Sequence, residues 1–159
     1  MKILVIEDDK NKLKQVRNFL EENIEECSIL EKYSYNSGLK EVISKTYDLL
    51  LLDMSMPTFD ITNEEKGGRP KPFAGKEILR KMKRKRIAVP TIVITQFETF
   101  GDMENSISFN ELDIELSKQY SNYISAIFYS SSEKQWEQEL LKSIKGVINE
   151  KNKHTDCGR

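Results

Sequence analysis

The segment Lys2-Ile-Leu-Val-Ile-Glu-Asp-Asp9 decides the fold. It is a short, mostly β-branched apolar run that ends abruptly in three acids, which is typical of a strand buried on both faces of a parallel sheet. From Asp9 onward the apolar spacing becomes helical, with Leu13, Val16 and Leu20 on one face. Asp9 suits the N-cap of that helix. The segment therefore predicts the first strand and the first helix of an α/β domain.

The rest of the chain continues this alternation of strands and helices. Further apolar segments that read as strands cover residues 27–35, 48–53, 88–95 and 125–129. Between them, helical spacing covers residues 38–45 and 75–86, and a closing helix follows from Trp136. Because the strands are apolar on both faces and are separated by helices, we expect a doubly wound, five-stranded parallel sheet.

Length and composition limit the classes of protein that fit. The 159 residues allow one domain, which we place at residues 1–150, followed by a disordered polar tail at residues 151–159. No apolar run approaches the ~20 residues that cross a bilayer, and the first residues lack a signal-peptide pattern, so we expect a cytoplasmic protein without membrane contact. Two cysteines and one histidine exclude a disulfide framework and zinc sites with several histidines.

Polar residues of a particular kind follow three of the predicted strands. Glu7 and Asp8 follow the first strand, Asp53 ends the third and Thr95 ends the fourth. In this fold the carboxyl ends of the strands meet near the point where strand order reverses. Carboxylates brought together repel one another, and an all-oxygen site suits Mg²⁺. With Mg²⁺ holding a phosphate donor, Asp53 suits the nucleophile that accepts a phosphoryl group, and Thr95 suits a hydrogen-bond donor to it.

Three segments resemble the receiver domain of bacterial two-component response regulators. They are Ile-Leu-Val-Ile-Glu-Asp-Asp at 3–9, Leu-Leu-Leu-Leu-Asp-Met-Ser-Met-Pro at 49–57 and Pro-Thr-Ile-Val-Ile-Thr at 90–95. The resemblance covers residues 1–57 and 75–148. It implies a flavodoxin-like receiver fold, here in a divergent, stand-alone protein that is a signalling module and not an enzyme.

The resemblance also implies a role for each residue at the strand ends. Asp53 would be the phosphoacceptor, and Glu7, Asp8, Asp53 and the backbone carbonyl of Ser55 would bind Mg²⁺. Thr95 would be the switch hydroxyl. The phosphodonor would be a phosphohistidine on a sensor histidine kinase, or another phosphodonor, within a two-component or phosphorelay-type system. Aspartyl phosphorylation would then switch the binding of a partner protein.

The sequence departs from this family at the end of the fifth strand. The family places a lysine there to neutralise the phosphoryl group, whereas this chain has Tyr129 or Ser130 at that position, and Lys134 comes a full turn too late. An alternative reading is therefore a pseudo-receiver, which would be a constitutive protein-protein adaptor without phosphorylation. A Mg²⁺-dependent phosphatase or phosphotransferase on a similar sheet is a third reading, for which no separate acid/base residue can be named near Asp53.

Two regions are enlarged relative to the family: the loop between the third strand and the helix that follows it, and the region between the fourth and fifth strands. There are 17 residues between Pro57 and Gly75, and 29 between Thr95 and Ser125. The first contains two glycines and two prolines, and loops of this length are usually functional or disordered. Residues 64–86 carry ten basic and three acidic side chains, a net +7, whereas residues 98–116 carry six acidic and no basic ones, a net −6. We expect an unknown protein effector to dock near residues 58–124.

A basic run at residues 80–86 raises the question of nucleic acid. Cations at the end of a helix offset its dipole, and no aromatic residues interleave with them to stack on bases. We therefore expect no nucleic-acid partner.

Overall fold

The computed structural model describes residues 1–64 and 66–156. In chain order its elements are β1 (Lys2–Ile6), α1 (Lys10–Asn23), β2 (Ser28–Lys32), α2 (Tyr35–Ser44), β3 (Leu49–Leu52), β4 (Met56–Pro57), β5 (Pro70–Lys71), α3 (Ala74–Arg84), β6 (Thr91–Thr95), β7 (Thr99–Phe100), β8 (Ile107–Ser108), α4 (Phe109–Gln119), β9 (Tyr123–Phe128) and α5 (Gln135–Asp156).

The central feature is a five-stranded sheet in the order β2-β1-β3-β6-β9, with every pair parallel. Chain order therefore reverses at β1, which lies between β2 and β3. This arrangement is the doubly wound, flavodoxin-like sheet that the sequence predicts. In such sheets the crevice for ligands lies beyond the carboxyl ends of the strands at the reversal point.

Each face of the sheet has its own apolar core. Leu50 and Leu52 of β3 join a cluster with residues of α2, α3 and α4, including Ile78 and Leu112. The alternate residues of β3 join a second cluster with residues of α1 and α5. All four side chains of β3 are at most 1% exposed. This two-sided burial explains the uninterrupted apolar sequence of the strand.

The helix starts follow from local capping residues. The Asp9 carboxylate accepts hydrogen bonds from the backbone N–H groups of Asn11 and Lys12, which confirms Asp9 as the N-cap of α1. Helix α4 was not predicted from the sequence. It begins with a capping box, in which the side chains of Ser108 and Glu111 each accept a hydrogen bond from the other residue's backbone N–H.

The segment between β3 and α3 forms an antiparallel ribbon in the residues that the structure describes. Strands β4 and β5 pair in antiparallel fashion, and beyond them Phe59 N–H donates to the carbonyl of Gly67. The Ser37 hydroxyl donates to the Asp60 carboxylate and so attaches the ribbon to the start of α2. Gly67 has a φ of 79°, which favours glycine in this turn.

The two oppositely charged segments lie next to each other. Lys76 of α3 forms an ion pair with Glu115 of α4, and the Lys83 ammonium donates to the carbonyl of Gln119 at 2.8 Å. Some of the opposite charges in these two segments therefore pair with each other inside the domain, between neighbouring helices.

The C-terminal helix ends later than the sequence suggests. Helix α5 runs through Asp156, whereas the sequence predicts a disordered tail from residue 151. Residues 157–159 of that predicted tail lie outside the described residues. Within the described part of the chain, none of the helices combines the length and apolar character that a membrane span requires.

Candidate functional site

Three carboxylates meet beyond the carboxyl ends of β1 and β3. These strands pair with Ile6 opposite Leu52, and Asp53 N–H donates to the carbonyl of Ile6 at 3.0 Å. The register therefore brings Asp53 beside the two acids that follow β1. One carboxylate oxygen each from Glu7, Asp8 and Asp53 lies within 4.8 Å of the others. The structure thus assembles the acidic group that was named from the sequence.

The three acids differ in their exposure to solvent. Glu7 and Asp53 are 3% and 4% exposed, whereas Asp8 is exposed. Burial raises the pKa of Glu7 to about 8, an effect that Lys12 opposes and the charge of Asp53 increases. The pKa of Asp8 is also raised, by partial burial and by the charge of Asp53. Full ionisation of the three acids is therefore costly without a further cation, and the exposure of Asp8 leaves one side of the site open to solvent.

A lysine that the sequence reasoning missed lies within this acidic group. Lys12 is 1% exposed, and its ammonium nitrogen lies 2.5 Å from Glu7 Oε2 and 3.4 Å from Asp53 Oδ1. The same ammonium donates to the carbonyl of Ile94 at 2.7 Å. A signal was present in the sequence, since Lys12 stands four residues before Val16 and so on the apolar face of α1.

Tyr129 is the first of the two residues, with Ser130, that stand where the sequence lacks the expected lysine. Its backbone N–H donates to the carbonyl of Thr95 at 2.8 Å, which extends the pairing of β6 and β9 by one residue. Its ring is buried, lies 5.8 Å from the Lys12 ammonium and contacts Trp136. Its hydroxyl has no hydrogen-bond partner among the described residues. Tyr129 thus fills space beside the site without supplying charge.

Thr95 ends one strand and Ser55 follows the neighbouring strand, at the edge of the sheet that carries the acids, but their settings differ. Thr95 is fully buried at the end of β6, and its hydroxyl oxygen accepts a hydrogen bond from Phe97 N–H at 3.2 Å. Ser55 is half-buried and lines the same cavity as the three acids. The roles of both residues remain predictions.

A cavity of about 390 Å³ opens onto the acids. Glu7, Asp8 and Asp53 line one side of it, and Gln96 and Phe97 contribute to the rim. The ribbon after β3 forms another wall, through Ile61, Lys66, Gly68 and Pro70. The connection between β3 and α3 is therefore part of the site's surroundings.

The residues fit a divalent cation. Three carboxylates and the Lys12 ammonium sum to a formal charge of −2, which one Mg²⁺ would neutralise. The donors are all oxygens, and the exposure of Asp8 and the open cavity leave room for the waters that Mg²⁺ retains.

Comparison with known proteins identifies the family. The model of the response regulator receiver domain matches residues 3–122. The chain belongs to this family. Receiver domains are signalling modules, and they bind Mg²⁺ in an acidic pocket of the kind formed here by Glu7, Asp8 and Asp53.

Individual relatives agree with this assignment. The chain is 31% identical over 147 residues to the Detocs response regulatory protein DtcB of Enterobacter cloacae, covering 91% of this chain and 98% of that protein. Among solved structures it is similar to the receiver domain of the Francisella response regulator 1452, with a TM-score of 0.63, 19% identity and coverage of 94% and 98%. A CheY-like receiver domain protein from Methanospirillum hungatei gives a TM-score of 0.61 at 20% identity, with coverage of 96% and 97%. The two structures support the receiver fold.

Proposed function

We propose that this protein is a phosphoacceptor whose Asp53 receives a phosphoryl group in a Mg²⁺-dependent reaction. The observation that carries the proposal is the position of Asp53: it is buried at the end of β3, next to the carboxylates of Glu7 and Asp8, and lines a cavity. The match to DtcB over nearly its full length supports a response regulatory role.

The phosphodonor is a phosphohistidine of a sensor kinase or another activated phosphate. An oxygen of the Asp53 carboxylate attacks phosphorus and forms a new P–O bond, while the P–N bond of the donor breaks. The leaving nitrogen keeps the bonding electron pair, and an imidazole protonated at its other nitrogen leaves as a neutral ring. When bound, Mg²⁺ neutralises charge on the phosphoryl oxygens. Glu7, Asp8, Asp53 and the backbone carbonyl of Ser55 would hold it.

The switch proceeds through Thr95 to the segment that follows β6. The Thr95 hydroxyl oxygen now accepts from Phe97 N–H. Rotation of this side chain toward a phosphoryl group on Asp53 withdraws the acceptor from Phe97 and biases residues 96–124 toward a second arrangement. A protein effector that docks near residues 58–124 reads this change. The cytoplasmic location expected from the sequence stays a prediction.

Phosphoryl uptake tests the proposal without knowledge of the cognate kinase. The full chain is incubated with acetyl phosphate and Mg²⁺, and intact-mass spectrometry follows the addition of one phosphoryl group. We expect uptake that chelation of Mg²⁺ abolishes and that Asp53→Asn eliminates. A protein that gains no phosphoryl group would instead support the constitutive adaptor, and equal uptake by the Asp53→Asn variant would show that Asp53 is not the acceptor.

A further inference from the structure

We infer that Lys12, from the first turn of helix α1, is the catalytic cation that binds the phosphoryl group on Asp53. The inference rests on the proposed function and deepens it, because it assigns the positive charge of the site to a different element from the fifth strand.

The Lys12 ammonium can donate one more short hydrogen bond. An ammonium has three N–H donors. Two are engaged at short distances, with Glu7 at 2.5 Å and with the carbonyl of Ile94 at 2.7 Å. The third contact, from the Lys12 ammonium nitrogen to Asp53 Oδ1, measures 3.4 Å. This is longer than the ~2.7–2.9 Å of a charge-assisted hydrogen bond. A phosphoryl oxygen on Asp53 would bring a charged acceptor within reach of this third donor.

The position of Lys12 in the helix is unfavourable unless the site needs its charge. Lys12 is the third residue of α1, where the helix dipole disfavours a cation. Its side chain is also fully buried, which carries a desolvation cost that only close anionic partners offset. Glu7 and Asp53 offset both unfavourable effects, because the Lys12 ammonium contacts their carboxylates.

Among the described residues, Lys12 is the cation placed to act on Asp53: Lys66 also lines the cavity but is exposed, and the ion pair of Asp53 is with Lys12. The salt bridges of residues 1–64 and 66–156 give Asp53 a single cationic partner, Lys12. Tyr129 stands at the end of the fifth sheet strand, and its buried ring lies beside the Lys12 ammonium. Lys134, the nearest lysine after that strand, is exposed. The Tyr129 ring thus occupies the space beside β6. The lysine that reaches Glu7 and Asp53 is Lys12, which comes from α1.

In the proposed reaction Lys12 remains protonated throughout. It forms no covalent bond, and the bond changes are those given above for phosphoryl transfer to Asp53. Its N–H groups stabilise the negative charge of the phosphoryl oxygens in the transition state and in the aspartyl phosphate.

The test compares Lys12→Met with Lys14→Met, a variant at an exposed lysine of the same helix. Each full-length protein is saturated with Mg²⁺, and acetyl phosphate uptake is followed by intact mass. We expect Lys12→Met to lower the rate of uptake by about tenfold or more, the loss typical of a charged hydrogen bond, and Lys14→Met to match the wild type. Unchanged uptake in Lys12→Met would overturn the inference.

Mg²⁺ affinity, measured by isothermal titration calorimetry, separates this role from a structural one. Removal of the Lys12 charge leaves the carboxylates more negative, so the Lys12→Met protein should bind Mg²⁺ as tightly as the wild type or more tightly. A parallel fall in Mg²⁺ affinity and phosphoryl uptake would show that Lys12 only holds the site together, and would contradict the inference.

A second comparison guards against misfolding caused by unpaired buried charge. Glu7→Gln and Glu7→Gln/Lys12→Met differ only at residue 12, and the double variant removes both charges of the short ion pair. We expect the double variant to take up phosphoryl at least about tenfold more slowly than Glu7→Gln. Equal and measurable rates at saturating Mg²⁺ would overturn the inference while leaving the proposed function intact. A wild-type protein that takes up no phosphoryl group would refute both.

Discussion

Gly75, at the start of helix α3, lies directly against the backbone of Asp53. A Cβ at residue 75 would fall 2.5 Å from the Asp53 carbonyl oxygen, and Gly75 N–H donates to the carbonyl of Met54 at 3.0 Å. The helix start and the backbone at Asp53 are therefore packed too closely for any side chain at position 75. The close approach fixes where the chain runs as it leaves β3.

Gly75→Ala should consequently destabilise the protein. Backbone atoms must move to relieve the contact, and overpacking of this kind costs about 1–3 kcal/mol in the free energy of unfolding. Gly146→Ala is the matched control, because a Cβ at this position in helix α5 meets nothing within 4 Å. The control should gain up to ~1 kcal/mol from helix propensity. Urea unfolding measures both, and equal stabilities would contradict the close packing.

Mg²⁺ should stabilise the folded protein through the acidic group. Binding relieves repulsion among the three carboxylates, and a hundredfold excess of ligand over its Kd adds about 2.7 kcal/mol to the free energy of unfolding. Asp8→Asn should lose most of this gain. Asp9→Asn should keep it, because Asp9 is the N-cap of α1 and asparagine caps equally well. Thermal unfolding with and without Mg²⁺ distinguishes them, and the reverse pattern would place the metal elsewhere.

Thr95→Val should uncouple phosphorylation from the segment that follows it. The substitution keeps the shape of a fully buried side chain but removes the hydroxyl that accepts from Phe97 N–H. With Mg²⁺ and beryllofluoride, a phosphoryl mimic, the amide of Asp53 should still respond, whereas the amides of residues 96–124 should not. Thr91→Val, at the other end of β6, should leave the full response. If Thr95→Val transmits the change normally, Thr95 is not the switch.

The hydrogen bond from the Tyr47 hydroxyl to the Glu41 carboxylate should appear in the acid stability of the protein. This bond, more than any other contact, lowers the pKa of Glu41 below its ordinary 4.5. A carboxylate with a lower pKa in the folded state contributes stability that is complete above its unfolded pKa and is lost as pH falls through the folded value.

Tyr47→Phe should therefore be less stable at neutral pH and should lose less free energy of unfolding between about pH 6 and pH 3 than the wild type. Urea unfolding at several pH values measures the difference. Parallel pH profiles for the two proteins would contradict the assignment.

Much of the fold follows from the sequence because the strands are buried on both faces. The β3 leucines and the acids after β1 and β3 leave few other arrangements, so the sheet and the meeting of Glu7, Asp8 and Asp53 were predictable. The boundaries of the elements were less predictable. Tyr35 is a residue that favours strands, yet it starts α2 because the Ser34 hydroxyl caps the helix by accepting a hydrogen bond from Ser37 N–H.

Other features depend on contacts that local sequence patterns describe poorly. Lys12 escaped notice because lysine is normally assigned to solvent, although its spacing from Val16 places it on the inner face of α1. The ribbon after β3 depends on tertiary attachments such as that of Asp60 to Ser37. The start of helix α4 could have been predicted from the sequence, because Ser108 and Glu111 have the spacing of a capping box.

The central claim is that Asp53 is a working phosphoacceptor coupled to the segment after β6. The most direct measurement is the amide NMR spectrum of the full chain with Mg²⁺, before and after beryllofluoride, in the wild type and in Asp53→Ala. The account predicts shifts at Asp8, Asp53 and Thr95 that spread into residues 96–124 in the wild type and are absent from the variant. A wild-type spectrum that does not change, or an equal response in Asp53→Ala, would contradict it.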